Sequence, residues 1–213
     1  LSYAIDLPND YRLIAIDSQL YSADNTDEGL NEQETAGHIS DALLNWALEE
    51  CEKATADGKT IIGMTHTNFI PHFDTEVDLF DNFVLRDWEK VADALADAGM
   101  QYVFTGHMHN QSINEFVTEK GNKFFDVTTG SIIADPSIIR LVNLHENKAE
   151  IESIPTPDFD YDTKGMTCKE YLTSVFDAMI RNILLDLRDD TTRAMRKFHI
   201  KESKGLVFGL RMV

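Results

Sequence analysis

The sequence predicts an α/β fold followed by a small α-helical appendage, and three observations carry that prediction. Two hydrophobic segments, Ile61-Ile62-Gly63-Met64-Thr65 and Tyr102-Val103-Phe104-Thr105, flank one amphipathic stretch, which is the pattern of a parallel strand–helix–strand unit. After Asn110 the period changes to short alternating segments separated by turn residues, the mark of antiparallel sheet. Beyond Pro155-Thr156-Pro157, which cannot continue a regular ladder, apolar residues recur at helical spacing. The predicted division is therefore 1–156 for a main domain and 157–213 for the appendage.

Taken in order, Ser2–Leu7 and Tyr11–Asp17 read as strands of a hairpin around the turn Pro8-Asn9-Asp10. Residues Ser18 to Gly37 are rich in Asp, Glu and Asn and read as a surface loop, of a length more often functional or mobile than inert. A helix follows from Ser40 to Ala56, with Ile39, Leu43, Trp46, Ala47 and Cys51 facing inward and Gly58 as the stop. The strand Thr60–Thr65 comes next, then an irregular stretch from His66 to Leu85. Asp87 is placed to cap a second helix whose apolar face is Trp88, Val91, Ala92 and Leu95, ending at Gly99. Gln101–Thr105 is the second parallel strand. Ser112–Val117, Lys123–Val127, Ile138–Leu144 and Ala149–Ile154 form the antiparallel part, with turns at Gly121-Asn122 and Glu146-Asn147. Thr167-Cys168-Lys169-Glu170 fits a capping box. It opens a helix whose stripe Leu172, Val175, Phe176, Met179, Ile180, Ile183, Leu184 and Leu187 should bury against the main domain or neighbouring elements. A short helix from Thr191 to His199 completes the reading, and Leu206–Val213 is too short to assign.

Composition narrows the function. The 213 residues are 43% hydrophobic, enough for a core, and 19 Lys+Arg against 37 Asp+Glu leave a net charge of -18. Such a surface repels a polyphosphate backbone, so duplex nucleic acid is excluded as the expected partner. A small phosphate ester is not excluded, because bound metal ions reverse the potential locally. Cys51 and Cys168 form no metal or redox motif, and Cys51 reads as a small buried thiol. No apolar run reaches the ~18 residues of a membrane span. The chain opens at Leu1 directly in strand-like sequence, without an initiator Met, which predicts further sequence upstream and leaves the compartment unread.

The chemistry lies in histidines. His66 follows the first parallel strand, and His107 and His109 follow the second, so all three should emerge at one edge of the sheet, where open α/β sheets build their sites. An extended backbone through His107-Met108-His109 would send both imidazoles to the same side, and Gly106 lets the chain turn off the strand. Converging imidazoles suit zinc, manganese or iron. A lone histidine is more often a satisfied core residue, and His38, His145 and His199 are left at that reading because nothing converges on them.

Gly106-His107-Met108-His109 after a hydrophobic strand, preceded by a strand ending in His66, resembles the last third of the calcineurin-like metallophosphoesterases, in the branch that includes bacterial cyclic-nucleotide phosphodiesterases. The resemblance covers approximately Ser2 to Ile154. It implies the C-terminal part of a four-layered α/β/β/α sandwich built around two divalent metal ions, manganese, iron or zinc. His66 and His107 would bind one ion and His109 the other, and a hydroxide bridging them would attack the phosphorus of a phosphodiester or phosphomonoester. His72 and Asn110 are the residues implied on the substrate side.

The chain departs from the family in two ways. Many relatives carry a second histidine where Thr67 stands, which removes a substrate-phosphate contact but no metal ligand. The Asp-x-His, Gly-Asp and Gly-Asn-His motifs are absent from the 213 residues, and with them the bridging carboxylate and the general-acid histidine, both expected upstream. Asp17 lies near a strand end, but its neighbours fit none of these motifs. The expectation is a catalytic domain cut inside its fold: no catalytic residue in this chain, none or one metal bound, and no turnover alone. Its open sheet edges predict self-association or pairing with the upstream segment. Two other readings stand beside it. One is a self-contained mononuclear three-histidine zinc hydrolase, with His72 and the Asp74–Glu76 cluster as acid/base candidates. The other is a non-catalytic interaction module built on the acidic loop and the helical appendage.

Overall fold

In the computed structural model, which describes residues 1–19, 37–145 and 148–197, the chain opens with the hairpin β1 (Tyr3–Leu7) and β2 (Tyr11–Ala15). Its tight turn places Asn9 and Asp10 at φ of about 60°, a left-handed conformation that these two side chains tolerate. Helix α1 (Asp41–Ala56) follows, with the Ser40 hydroxyl accepting the amide of Leu43 as N-cap. Then come β3 (Thr60–Met64), a single helical turn α2 (Glu76–Leu79), a 3-10 turn at Asp81–Phe83, helix α3 (Trp88–Asp97) and β4 (Met100–Thr105). The strands β5 (Ser112–Val117) and β6 (Lys123–Thr128) close this part of the chain.

These six strands make one sheet in the order β1-β2-β3-β4-β6-β5. Its centre is parallel: β2 with β3, β3 with β4, and β4 with β6, while β1 and β5 are antiparallel edges. Helices α1 and α3 pack on one another and on a single face of this sheet, as right-handed crossovers between sequential parallel strands require. Between them lies the core, including Ile14, Ala47, Cys51, Leu95, Val103 and Phe124, all fully buried. Each large side chain withdrawn in this way contributes about 1.5–3 kcal/mol.

Several local expectations are corrected. The buried face of α1 is Leu44, Ala47, Glu50, Cys51 and Ala54, with Leu43 and Trp46 only packed against its margin. Glu50 is tolerated inside because Arg12 of β2 and Lys53 both ion-pair with it. Asp87 stands at the N-cap of α3 but in a left-handed conformation (φ 53°), and its side chain makes no capping bond. Of the four strands read as the antiparallel part, the hairpin β5–β6 joins the main sheet, because β6 pairs in parallel with β4.

The described residues divide into two compact units, Leu1–Val77 with Asp81–Thr128, and Asp78–Phe80 with the chain from Thr129 onward. The second holds the two-stranded sheet of β7 (Ile138–His145) and β8 (Lys148–Pro155), paired antiparallel from Ile138↔Pro155 to His145↔Lys148. Pro155 is thus the last residue of a strand; the next amide, Thr156 N, makes the ladder bond to Ser137 O at 3.0 Å, so the Pro155 nitrogen points away from β7 and its missing N–H breaks no ladder bond. Helix α4 (Cys168–Asp189) begins with the predicted capping box, Thr167 and Glu170 bonding each other's backbone, and packs with α5 (Thr191–Lys197). Only the ends of its stripe, Leu172 and Leu187, are buried; Val175, Phe176, Met179, Ile180 and Leu184 are exposed. The turn at Glu146-Asn147, most of the acidic loop, His199 and Leu206–Val213 lie outside the described residues. The mixed α/β architecture with a central sheet and a small C-terminal helical part is as expected.

Candidate active site

The parallel pairing of β3 and β4 brings the histidine segments together. The ladder continues past both strand ends: the amide of Thr65 donates to Phe104 O at 3.1 Å, and that of Gly106 to His66 O at 3.0 Å. His66 and His107 therefore leave the sheet side by side. His66 Nε2 lies 3.1 Å from His107 Nδ1, their ring centroids 4.9 Å apart and tilted by 61°. Phe83 covers the other side of His107, its centroid at 4.7 Å.

The backbone here is not extended. His107 has φ 61° and His109 φ 57°, and Met108 N donates to Gly106 O at 2.7 Å across a three-residue turn centred on His107. Left-handed histidines of this kind cost about 1–3 kcal/mol each and persist where surrounding contacts over-determine them. The same-side argument from period-two geometry fails accordingly. His66 and His107 meet because their strands are neighbours, whereas His109 is turned out into solvent.

Burial, with His66 alongside, pushes the His107 imidazole down to about 4. Burial and then His109 lower that of His66. Both rings are neutral near pH 7, the form in which imidazole offers a lone pair to a metal. Two nitrogens bound to one tetrahedral zinc at about 2.0–2.1 Å sit about 3.4 Å apart, so the His66–His107 spacing fits a shared cation. Beyond this pair the fit stops: among the described residues no group of three or more His, Cys, Asp or Glu side chains is placed to hold a metal ion. The two histidines supply part of a ligand set, and His109 acts on them electrostatically.

Beside the pair an open cleft of about 290 Å³ runs to the end of β2, lined by Asp17, Thr65 and His66 among others. Asp17 accepts the amide of Gln19 there. The hydroxyls of Ser18, Thr65 and Thr67 form a buried chain beneath the cleft floor.

The remaining candidates are placed elsewhere. The His72 side chain is fully buried, its Nε2 3.4 Å from Asp126, and its backbone amide donates to Glu76 at 2.5 Å. Glu76 is itself buried, which raises its carboxyl above the usual range, while Asp74 is exposed. Asn110 follows the His109 turn with its Oδ1 buried. His38 is half-buried, and His145 is an exposed surface residue 3.3 Å from Glu150, not a core histidine. Sequence reading missed Asp126, a fully buried carboxylate. Its signal was available: a lone acid in the apolar run Phe124-Phe125-Asp126-Val127, at a position whose neighbours alternate inward.

No protein-family model matches this chain, and no curated protein matches it in sequence. Among solved structures, the crystal structure of a dimetal phosphatase from Danio rerio superposes with a TM-score of 0.53 over 71% of this chain, at 13% identity. The fold is similar to that of a metal-dependent phosphoesterase. The match covers 57% of the phosphatase, so the chain spans a little over half of that protein's length.

Proposed function

We propose that this chain is part of a metal-dependent phosphoesterase, in which His66 and His107 hold a divalent cation and His109 serves a second. The observation that carries this reading is the contact between the His66 and His107 nitrogens at the ends of adjacent parallel strands, on a fold similar to a dimetal phosphatase. Divalent ions held there would supply Lewis-acid activation of water and neutralise charge developing on phosphoryl oxygens. The protein's own part is to present neutral imidazoles: burial holds the His107 ring unprotonated near pH 7, partial desolvation and the neighbouring His109 lower His66, and Phe83 lies against His107, tilted by 31°. The substrate class is a small phosphate ester entering the open cleft beside Asp17, because the net charge of -18 disfavours a polyanionic duplex. The rest of the ligand set and the group that protonates the leaving oxygen come from outside the described residues.

Two measurements test this. Calorimetric titration of residues 1–213 with Co²⁺ or Zn²⁺ should show weak binding that His66→Ala and His107→Ala each abolish. The full-length product of the gene, with Mn²⁺, should hydrolyse bis-p-nitrophenyl phosphate; His107→Ala and His109→Ala should each remove most of that rate, and residues 1–213 alone should turn nothing over. Binding that survives loss of both His66 and His107 would sink the proposal, and metal-dependent turnover by residues 1–213 alone would favour the mononuclear zinc reading.

A further inference from the structure

We propose that Asp126 is a positioning residue that locks the two histidine-bearing segments to one another. It touches neither imidazole of the pair, and its consequence for catalysis rests on the phosphoesterase reading above. Asp126 sits near the end of β6, opposite Val103 of β4, with its carboxylate fully buried on the helix-covered face of the sheet. One oxygen, Oδ2, accepts the backbone amides of Phe69 at 2.7 Å and Ile70 at 3.2 Å, both in the segment that follows His66. The other, Oδ1, accepts the hydroxyl of Thr105 at 2.5 Å, two residues before His107. Thr105 in turn accepts from Asn68 Nδ2 at 3.3 Å, closing a ring of bonds between the segments. One carboxylate thus holds both loops, one on each oxygen.

The chemistry explains why this position takes an aspartate. Every group hydrogen-bonded to the carboxylate is a donor, and an ionised carboxylate is the one short side chain that accepts on both ends. A buried charge persists only with such compensation, and charge-assisted bonds of this kind are about twice as strong as neutral ones. The left-handed turn at His107 needs support of this sort, because Gly106, whose carbonyl closes it, follows Thr105 directly. Thr128 Oγ1 adds a second bond to that carbonyl at 3.1 Å, again from β6. The His66–His107 contact is therefore set from beneath by β6, a strand that carries no candidate ligand of its own.

The test uses the whole chain without metal first. Nuclear Overhauser contacts between ring protons of His66 and His107 report the pair directly. Thr105→Val, isosteric but without the hydroxyl, should keep the circular dichroism of the parent and lose those contacts; Thr105→Ser, which keeps the hydroxyl, should retain them. Co²⁺ affinity should fall roughly tenfold in Thr105→Val and recover in Thr105→Ser, the size expected when a group that orients a ligand is removed. Asp126→Asn, whose amide leaves the Thr105 hydroxyl proton without an acceptor, should behave as Thr105→Val does; if it fails to fold, the valine–serine pair decides alone. A folded Thr105→Val protein with parental ring contacts and parental Co²⁺ affinity would overturn the proposal, as would equal loss in the serine variant. Absence of Co²⁺ binding by the parent would instead count against the phosphoesterase reading, while the ring contacts would still decide the role of Asp126.

Discussion

Gly37→Ala should destabilise the first unit by about 3 kcal/mol, although Gly37 touches no candidate ligand. A β-carbon built on Gly37 would stand 2.6 Å from Thr67 Oγ1, 2.7 Å from Thr67 Cβ and 2.8 Å from Leu85 Cδ2. None of these can step aside cheaply. Thr67 is β-branched and fully buried, and its hydroxyl bonds Ser18 at 3.3 Å and Gln19 at 3.0 Å. Leu85 is 2% exposed and is fixed by its amide bond to Asn68 O. Gly37 is itself held, its carbonyl accepting the amide of Arg86 at 3.0 Å. Overpacking of a filled site costs about 1–3 kcal/mol, and weakening the Thr67 hydroxyl bonds adds about 1 kcal/mol. The sum, about 3 kcal/mol, corresponds to a midpoint roughly 6–12 °C lower for a protein of this size. Urea unfolding followed by tryptophan fluorescence reads the right part of the molecule, because the two tryptophans, Trp46 and Trp88, both pack against the first unit's core. Gly63→Ala makes a useful comparison: its β-carbon would meet Met100 Sδ at 2.6 Å, but a flexible thioether can repack, so about 1 kcal/mol is expected. A Gly37→Ala protein within about 0.5 kcal/mol of the parent would refute the steric argument.

Cys51 is fully buried and its thiol is pushed up to about 12 by burial, so at pH 8 only Cys168 should react with a disulfide reagent until denaturant is added; equal rates for both thiols in the folded protein would contradict the assigned core. Asp97 is held down to about 2 by Lys120, Asn122 and Thr118, so its contribution is full above the unfolded value of about 3.9 and is lost as pH falls toward 2. The stability gap between the parent and Asp97→Asn, read from urea midpoints, should therefore be constant from pH 7 to 5 and narrow below pH 4; a gap that ignores pH would refute the pairing. Tyr3, Ile5, Met64, Ile113 and Val117 of the sheet and the middle of the α4 stripe are exposed apolar surface, and light scattering should show concentration-dependent association, which a monomer persisting at high concentration would disprove.

What the sequence determined by itself was local. Strand and helix periods, the Thr167–Glu170 capping box, the stop at Gly58 and the parallel relation of β3 and β4 were all legible, because each is encoded within a few turns of chain or one crossover. Proximity of His66 and His107 followed from that relation. The tertiary structure alone decided what depends on distant partners. His107 and His109 take left-handed conformations, so a period-two argument built on extended backbone could not see that only one of the two would meet His66. Glu50 is inside because Arg12 of another element neutralises it, against the rule that reads glutamate as surface. Asp126 looked like an interruption in an apolar strand, and became the node of the site only when folding brought donors from 21 and 57 residues away onto its two oxygens. Periodicity is a property of neighbours along the chain; hydrogen-bond satisfaction is a property of neighbours in space, and the site is built from the second.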